Sequence, residues 1–460
     1  MDLNERLNHV FYPRTIAVIG ASAAPGKLGH ACVASLLEAG FRGRIYPVNP
    51  SANEVLGLTA YPSVGAVPGE IDLALIVLPA RLTVAAAEEC AARGVSATIV
   101  ISSGFKEVGT EAGLGLQSKL RDIASRSGMI VIGPNTMGVV NPRVNLVASF
   151  QSTLTVARAG NVAVATQSGG MCIHTVHALT NHNMGISKAI GLGNRCALDF
   201  DDIVTYFLDD DETRVIVLYL EGLQQPRRLM KVVRDGVSRK PVVVLKGGRE
   251  EASNRATLSH TGALAGRYPL YKAAFTQSGM ITANNTTELV DIAKALTLQP
   301  PAAGGRVAIF CVQAGLGIVA ADRCRELGLK LADFSPTTKK QLRQLIPPLN
   351  AIDNPVDVAW KSNYFNDSHA ILKTVMGDDG VDTVAIAAIF WEANMPLMRA
   401  AIEIAREYSK PITVCLDSPG GTADHWINAL EEGNIPTYPT PERAATGLAS
   451  LVRYGQVLRC

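Results

Sequence analysis

The sequence predicts an α/β protein of about three domains, built on parallel β-sheets. The chain has 460 residues, of which 47% are hydrophobic and only 5% are aromatic. A high glycine, alanine and valine content with few aromatic residues is typical of closely packed parallel strands and tight strand-to-helix turns. Along the chain, short apolar runs that end in glycine or proline alternate with helical segments. This alternation is the pattern of βαβ units in a doubly wound sheet.

The first block, residues 1–150, contains five predicted strands separated by helical segments. The strands are expected at Thr15–Gly20, Arg44–Val48, Leu73–Leu78, Thr98–Ser102 and Met129–Ile132. Helices are predicted at Leu28–Ala39 and Val84–Arg93. Because each strand is short, apolar and followed by glycine, proline or polar residues, we expect a Rossmann-like sheet.

The second block, residues 151–300, repeats in the third, residues 301–460. AGNVAVATQSGG at 159–170 aligns with GGRVAIFCVQAGLG at 304–317, and KPVVVLKGG at 240–248 aligns with KPITVCLDSPGG at 410–421. Between them, DETRVIVLYLEGL aligns with GVDTVAIAAIFWEANM, which sets Glu221 opposite Glu392. A helix near Thr287–Leu296 is expected to close the second block. The chain therefore contains an internal duplication of one α/β unit.

The two copies differ by a long insertion in the first. Lys240 and Gly279 are 39 positions apart, but the corresponding Lys410 and Gly433 are only 23 apart, which leaves 16 extra residues. They fall in GGREEASNRATLSHTGALAG, residues 247–266, whose composition predicts a loop. Long loops on rigid α/β scaffolds are more often functional than decorative.

Composition excludes several functional classes. The 43 Lys and Arg against 41 Asp and Glu give a net charge of +2, which offers no electrostatic attraction to nucleic acid or to a membrane surface. No apolar run is long enough for a membrane span, and residues 1–15 lack a signal-peptide core. Eight scattered cysteines without a C-x-x-C pair argue against zinc ribbons and disulfide frameworks. We therefore expect a cytoplasmic protein.

The turn after the first strand is a candidate phosphate site. It reads GASAAPGKLG from Gly20 to Gly29, between a strand and a helix, so backbone N–H groups and the helix N-terminus could hold an anion. It matches neither a Walker A loop nor G-x-G-x-x-G, and Asn49 stands where a NAD-binding chain usually carries an acid. A nucleotide phosphate other than NAD is favoured, and a plain turn is the alternative.

A second candidate site combines a turn, a carboxylate and a histidine. TQSGG at 166–170 ends a strand and opens a helix, which suits an anion or simply a serine-capped turn. His260 lies in LSHTG inside the insertion, where an imidazole could accept a phosphoryl group. Glu221 ends an apolar strand, where a carboxylate needs a partner, so it is the expected orienter of His260. A surface histidine in a loop is the alternative. No metal site is predicted, since His174 and His177 lack further ligands at suitable spacing.

These motifs together resemble the nucleoside-diphosphate-forming acyl-CoA synthetases. The resemblance spans about residues 10 to 455 and includes AVIGASAAPGKLG, IYPVNP, ISSGFKEVG, IGPNTMGVVNP, VATQSGG and, most specifically, YLEG followed by LSHTGALAG. It points to the α subunit of ADP-forming acetyl-CoA synthetase and, more distantly, of succinyl-CoA synthetase. It implies a Rossmann-like CoA-binding domain at 1–150, a flavodoxin-like ligase domain with a phosphohistidine loop at 151–300, and a second flavodoxin-like domain at 301–460.

The resemblance also implies roles for individual residues. His260 would carry the phosphoryl group and Glu221 would be its catalytic partner. Phosphate or the acyl group would be held by Ser168, Gly169, Gly170 and Asn194. Coenzyme A would be held by Ser22, Gly26, Lys27, Leu28, Asn49, Ser51, Ile101, Ser102 and Ser103.

The implied activity is an acid–CoA ligase, a carbon–sulfur ligase that makes acyl-CoA, ADP and phosphate from a small carboxylate, CoA and ATP. The sequence shows no Walker A loop and no stretch for an ATP-grasp domain, so ATP, ADP and Mg²⁺ are expected to bind a separate ATP-grasp β subunit. Two other functions remain open: a non-catalytic CoA- or acyl-CoA-binding regulatory protein, and a NAD-dependent dehydrogenase.

Overall fold

A computed structural model describes residues 3–250, 268–358, 364–392 and 395–459. The chain divides into two compact units, Met1–Thr282 and Ala283–Cys460. Each unit is a mixed α/β structure with parallel sheets, so the predicted fold class is confirmed. Within the described ranges, no helix is long and apolar enough to cross a membrane.

The first sheet lies in the first unit and has the order β2-β1-β5-β6-β7, with all neighbours parallel. Its predicted strands are confirmed to within two residues at each end. The strands of this region, including a small antiparallel hairpin, are β1 (Thr15–Ile19), β2 (Arg44–Val48), β3 (Glu54–Val55), β4 (Leu58–Thr59), β5 (Leu73–Ile76), β6 (Ala97–Val100) and β7 (Ile130–Ile132). The helices are α1 (Leu3–Phe11), α2 (Leu28–Glu38), α3 (Ala80–Ala92) and α4 (Glu111–Ser127).

The second sheet of this unit has the order β14-β13-β12-β10-β11-β8-β9. Its strands are β8 (Val139–Asn141), β9 (Leu146–Ala148), β10 (Ala159–Thr166), β11 (Ile186–Gly191), β12 (Val215–Leu220), β13 (Val242–Lys246) and β14 (Ile281–Ala283). The helices are α5 (Gly169–Asn181), α6 (Phe200–Asp209), α7 (Pro226–Gly236) and α8 (Tyr268–Gln277). β8 and β9 form an antiparallel hairpin that extends this sheet through β11. The end of the predicted first block therefore contributes strands to the second sheet.

The second unit has a parallel sheet in the order β16-β15-β18-β19-β20, with β17 beside β15. Its strands are β15 (Arg306–Cys311), β16 (Lys330–Leu331), β17 (Val356–Asp357), β18 (Thr383–Ala388), β19 (Ile412–Leu416) and β20 (Thr437–Tyr438). Its helices are α9 (Thr286–Leu298), α10 (Ala314–Glu326), α11 (Pro336–Leu345), α12 (Tyr364–Met376), α13 (Met395–Glu407), α14 (Asp424–Glu432) and α15 (Pro441–Val457).

Helix α9 was expected to close the second block, but it belongs to the second unit. There the buried carboxylate of Asp291 accepts two hydrogen bonds from the Arg443 guanidinium of α15, at 2.7 and 2.8 Å. The chain has two compact units and therefore a single boundary between them. The predicted division into three domains, with boundaries at residues 150 and 300, stays a prediction.

Each of the two flavodoxin-like sheets contains a glutamine that accepts a hydrogen bond from the end of a strand, and the backbone bonds beside it show how the residues of the two copies correspond. In the first copy, Gln167 Oε1 accepts the backbone N–H groups of Glu221 and Gly222 at 3.0 and 3.1 Å. In the second copy, Gln313 Oε1 accepts the N–H of Ile389 at 3.1 Å. The backbone bonds of the two sheets fix the register: the N–H of Gln167 donates to the Tyr219 carbonyl at 3.0 Å, and the N–H of Val312 donates to the Ala387 carbonyl at 3.2 Å. The structural counterpart of Glu221 is therefore Ile389, and the sequence alignment that set Glu221 opposite Glu392 was wrong by three residues.

Candidate functional site

A groove of about 890 Å³ opens at the carboxyl ends of the first sheet. It is lined by residues that follow β1, β2, β5 and β6. Because β1 leads to β2 on one side and β5 lies on the other, the groove is at the topological switch point, where open α/β sheets bind ligands. Of the predicted CoA residues, this groove brings together Ser22, Lys27, Leu28, Asn49, Ser102 and Ser103.

The turn between β1 and α2 depends on two glycines. Gly20 has a φ of +90°, a left-handed conformation that other residues rarely adopt. A Cβ on Gly29 would lie 1.9 Å from the Gly20 carbonyl oxygen, so only glycine allows α2 to start this close to the strand. The close approach points the first turn of α2 into the groove, which suits a phosphate group.

Side chains in this turn are partly used to hold its shape. Asn49 donates to the Ala21 carbonyl at 2.7 Å, which joins the ends of β1 and β2. Ser22 Oγ accepts the Ala24 N–H at 3.1 Å. Lys27 is exposed at the N-cap position of α2 and lines the groove, where its ammonium can reach an anion.

Three other predicted CoA residues do not line the groove. Gly26 has a φ of +82° and open space around it. Ser51 donates its backbone N–H to Asn49 Oδ1 at 2.7 Å, and Ile101 is buried at the end of β6. Their predicted contacts with CoA stay predictions.

The groove has apolar walls, and of the residues that form them only Leu28 was predicted from the sequence. Leu28 and Leu82 are 50% and 47% exposed and both line it, together with Pro62 and Pro79. Large exposed apolar side chains around a polar turn are typical of a site for a ligand with both phosphate and apolar parts. The one sequence signal for this wall was a leucine, Leu82, on the polar face of α3. Apolar periodicity alone did not distinguish it from an ordinary surface residue.

The second candidate site lies at the switch point of the second sheet, between β10 and β12. Ser168 caps α5, and its hydroxyl accepts the Met171 N–H at 3.3 Å. Gly169 lies against Met137, whereas Gly170 has open space on its Cα. The predicted trio of Ser168, Gly169 and Gly170 therefore forms the exposed start of a helix, where an anion is favoured.

Glu221 follows β12 directly and is buried beside this turn. Its backbone is fixed by Gln167, the residue before Ser168, through the two bonds to Gln167 Oε1. Burial, and then the charge of the nearby Glu221 carboxylate, raise the pKa of the Tyr219 phenol, so the phenol stays protonated.

Lys246 ends the neighbouring strand β13 and is fully buried. Its ammonium donates to the Gly247 carbonyl and lies 4.9 Å from the centre of the Tyr271 ring. Burial lowers the pKa of Lys246 to about 8, although the charge of Glu221 opposes this shift. A buried amine with a depressed pKa beside a carboxylate is typical of functional sites. Lys246 was not among the residues predicted from the sequence, because a lysine at the end of a hydrophobic strand has the same sequence pattern as one that points into solvent.

Asn194 connects the two sheets of the first unit. Its side-chain amide donates to the Glu107 carboxylate and to Gln117 Oε1, the latter at 2.9 Å. Both amide hydrogens are therefore used by the segment after β6, and Glu107 in turn accepts the Gly104 N–H at 2.6 Å. Backbone N–H of Leu192 donates to the Thr166 carbonyl at 2.8 Å, which places this segment beside the β10 turn. The predicted contact of Asn194 with phosphate or an acyl group stays a prediction.

His260 and most of the insertion around it lie outside the described residues. Of the predicted catalytic pair, the structure therefore locates Glu221 alone. Cys172 is fully buried in α5, and burial raises the pKa of its thiol to about 12. The seven cysteines that the structure describes are all free thiols.

Models of three protein families match the chain. The CoA binding domain matches residues 14–142, the succinyl-CoA ligase like flavodoxin domain matches 159–296, and the Ligase-CoA domain matches 307–415. These ranges contain the first sheet, β10 to β14 of the second sheet, and most strands of the sheet of the second unit.

Several proteins of known activity are similar over nearly the whole chain. The α subunit of ADP-forming acetate–CoA ligase II from Pyrococcus furiosus is 39% identical over 455 residues, covering 97% of each chain. ADP-forming acetate–CoA ligase I from Archaeoglobus fulgidus is 36% identical to this chain. The match covers 98% of this chain and 64% of the length of the relative. A solved structure of dinucleotide forming acetyl-coenzyme A synthetase 1 from Ca. Korarchaeum cryptofilum, in complex with phosphate and ADP, has a TM-score of 0.89 and 32% identity, covering 98% of this chain and 97% of that one.

We predict that Gly29→Ala weakens CoA binding by at least about tenfold, because the added methyl group must push α2 away from the Gly20 carbonyl. Gly115→Ala in α4 is the matched control, since a Cβ there has open space. Isothermal titration with CoA measures both affinities, and circular dichroism checks that both variants fold. Equal affinities would contradict this use of the turn.

Lys246→Met tests the buried amine through its pH dependence. At pH 7 the variant is expected to melt at a higher temperature than wild type, because it removes a buried charge. Wild-type stability should then rise above pH 8, since the folded protein releases the Lys246 proton near pH 8 and the unfolded chain keeps it to about pH 10.4. The advantage of the variant therefore shrinks between pH 8 and 10.

Thermal melts at pH 7 and 9.5 followed by circular dichroism measure this difference. Lys231→Met is the control, because Lys231 is exposed on α7 and pairs with Asp235 at its surface. A Lys246→Met variant that is less stable than wild type by the same amount at both pH values would contradict the prediction.

Proposed function

The chain belongs to the ADP-forming acetate–CoA ligase family as an acyl-CoA synthetase α subunit, and we propose that it relays a phosphoryl group through a phosphohistidine at His260. The reaction of this family of ligases forms a carbon–sulfur bond between an acid and CoA. The buried carboxylate of Glu221 beside the serine-capped start of α5 is the observation that supports the relay most strongly. It supplies an orienting carboxylate and an anion site at one switch point.

The relay balances in three steps. His260 attacks the terminal phosphorus of ATP, which forms a nitrogen–phosphorus bond and releases ADP. The phosphoryl group then moves to an oxygen of the substrate carboxylate, which gives an acyl phosphate and restores the histidine. The CoA thiol, losing its proton, attacks the acyl carbon, so the carbon–sulfur bond forms as phosphate leaves.

Two residue sets would serve these steps. N–H groups at the start of α5, with Ser168, Gly169 and Gly170, would stabilise the transferred phosphoryl group. Glu221 would hold one imidazole nitrogen of His260, so that the other is the nucleophile. Mg²⁺ would bind ATP and neutralise its phosphate charge.

The groove of the first sheet would hold CoA. Lys27 would contact the CoA phosphates, while Leu28 and Leu82 would contact its apolar parts. Ser102 and Ser103 would line the remainder of the groove. The backbone of Ser102 accepts the Asn135 N–H at 2.9 Å, and Asn135 donates to Asn194 at 3.5 Å. This chain of bonds connects the groove to the segment beside the β10 turn.

A partner subunit would bring the nucleotide. The α-subunit relatives imply such a partner, and we identify it as an ATP-grasp β subunit that binds ATP or ADP with Mg²⁺. The Archaeoglobus fulgidus relative supports this, because it is not named as a subunit and about a third of its length lies beyond the match. That extra length is the natural place for a nucleotide domain.

We predict that the complex of this chain with its β subunit, incubated with γ-labelled ATP and Mg²⁺, carries an acid-labile, base-stable phosphate at His260. His260→Asn should abolish the label, because the nucleophile is removed. Glu221→Gln should slow labelling by about 10–100-fold, the usual loss when a histidine loses its orienting carboxylate. Rapid quenching and site-resolved mass spectrometry measure both.

His369→Asn is the control, since His369 lies on the second unit with its ring 3.8 Å from the exposed Glu403. All three variants should keep the CoA affinity of wild type. A wild-type complex that binds CoA but takes up no label would instead indicate a CoA-binding regulatory protein without catalysis.

A further inference from the structure

A small basic cavity of about 230 Å³ lies in the first unit, apart from the CoA groove. It is lined by residues that follow β6, β11 and β12, together with one face of α4. No acidic residue is among the described residues that line it. Its polar lining consists of three cationic side chains and three neutral ones, which are Lys106, Arg121 and Arg195, and Gln117, Ser118 and Gln224. Such a lining is suited to a small anion.

Arg195 is the buried cation of this cavity, with 5% of its surface exposed. The Gln224 amide donates to the Arg195 carbonyl at 3.3 Å, and the N–H of Cys196 donates to the Gly133 carbonyl at 3.0 Å, so its backbone is held on both sides. Its guanidinium donates to the Asp199 carboxylate at 2.7 Å, whereas its buried Nε has no hydrogen-bond partner among the described residues. A guanidinium has five N–H donors, so Arg195 has donors in excess of its protein acceptors.

Lys106 and Arg121 add positive charge that no nearby carboxylate balances. Neither residue forms an ion pair with another described residue, and the Arg121 guanidinium donates to the Ser118 hydroxyl at a long 3.5 Å. Because Asp199 balances the charge of Arg195, two of the three positive charges remain uncompensated at the cavity. The whole chain has a net charge of only +2, so this is a local concentration of charge rather than a general property of the surface.

The basic cavity lies near both parts of the proposed active site. Lys106 comes three residues after Ser103, which lines the CoA groove, and Gln224 comes three residues after Glu221. Three residues of extended chain span at most about 11 Å, so the Cα atoms of each pair are no farther apart than that. An acid whose reacting carboxylate lies beside Glu221 can therefore place its other end in the cavity.

We propose that the basic cavity binds the far end of the acid substrate and selects small acids that carry a second anionic group, a carboxylate or a sulfonate. This inference rests on the proposed function, since it places the reacting carboxylate beside Glu221. The second anion takes no part in the chemistry. It must give up its water on binding, which favours a doubly charged acid over an uncharged-tail analogue only where protein cations replace that water. Lys106, Arg121 and Arg195 supply those cations.

Matched pairs of acids test the selection in the complex with the β subunit. Succinate and butyrate differ only in a carboxylate or a methyl group at the far end, glutarate and pentanoate repeat the comparison with one more methylene, and 3-sulfopropionate carries a sulfonate. The kcat/KM of at least one doubly charged acid should exceed that of its matched analogue by at least about tenfold, the contribution of one charge-assisted hydrogen bond. A preference for the dicarboxylates assigns a carboxylate tail, and one for 3-sulfopropionate assigns a sulfonate tail; either supports the proposal.

Variants of the three cations connect the preference to the cavity. Lys106→Met and Arg121→Met should each lower kcat/KM for the doubly charged acid about tenfold and leave the values for its analogue and the KM for CoA unchanged. Arg195→Lys keeps a charge beside Asp199 but loses the fork of N–H donors, so a similar loss is expected. Lys119→Met is the matched control, because Lys119 is exposed on α4 and does not line the cavity. Circular dichroism confirms folding of each variant.

The outcomes separate the two proposals. A wild-type complex that takes up no label at His260 overturns the proposed function, and isothermal titration of the same acids without ATP then still tests the cavity. A labelled wild type that uses each analogue as well as its doubly charged partners overturns the selection and leaves the relay intact. Variants that slow both acids of a pair equally also overturn it. So do variants that change only the KM for phosphate in the reverse reaction, since the cavity would then bind inorganic phosphate.

Discussion

The two hydrogen bonds that Gln167 Oε1 accepts from Glu221 and Gly222 hold the candidate active site together. They join the residue that precedes the α5 cap to the residue that follows β12. Parallel strands bring their carboxyl ends to one edge of a sheet, but a crevice at that edge becomes a site only when the segments on both sides of it are held in place. Here those segments are the start of α5 and the residues after β12. With both held, a helix N-terminus and a buried carboxylate face the same small volume, as stabilisation of a transferred phosphoryl group requires.

The internal duplication separates scaffold from chemistry. Gln313, which caps α10, accepts a similar bond from Ile389 in the second copy, so a glutamine bond at this edge of the sheet belongs to the fold. The polar groups do not repeat: Ile389 replaces Glu221, and Leu416 replaces the buried Lys246. A buried lysine and a buried glutamate are costly in a core, and the second copy shows that the same strands fold without them. Their presence in the first copy is therefore explained by function.

Local sequence signals predicted the fold class, the strands of the first sheet, the duplication, and Glu221, because glycine and proline punctuation and apolar periodicity are short-range features. Long-range contacts decided the rest. The β8–β9 hairpin joins the second sheet by pairing with β11, and both amide hydrogens of Asn194 are used by Glu107 and Gln117. No local pattern distinguishes such partners. Strand register was not available from the sequence either, as the three-residue error in the alignment of Glu221 shows.

The kinetic competence of the phosphoenzyme tests the central claim most directly. In a single turnover of the purified complex with acetate as the probe acid, rapid-quench sampling follows phosphohistidine, acyl-CoA and ADP together. The relay predicts that phosphohistidine forms before acyl-CoA, with a rate constant at least as large as kcat, and decays as acyl-CoA appears. Acyl-CoA that forms without this intermediate, or faster than the intermediate does, would contradict the account.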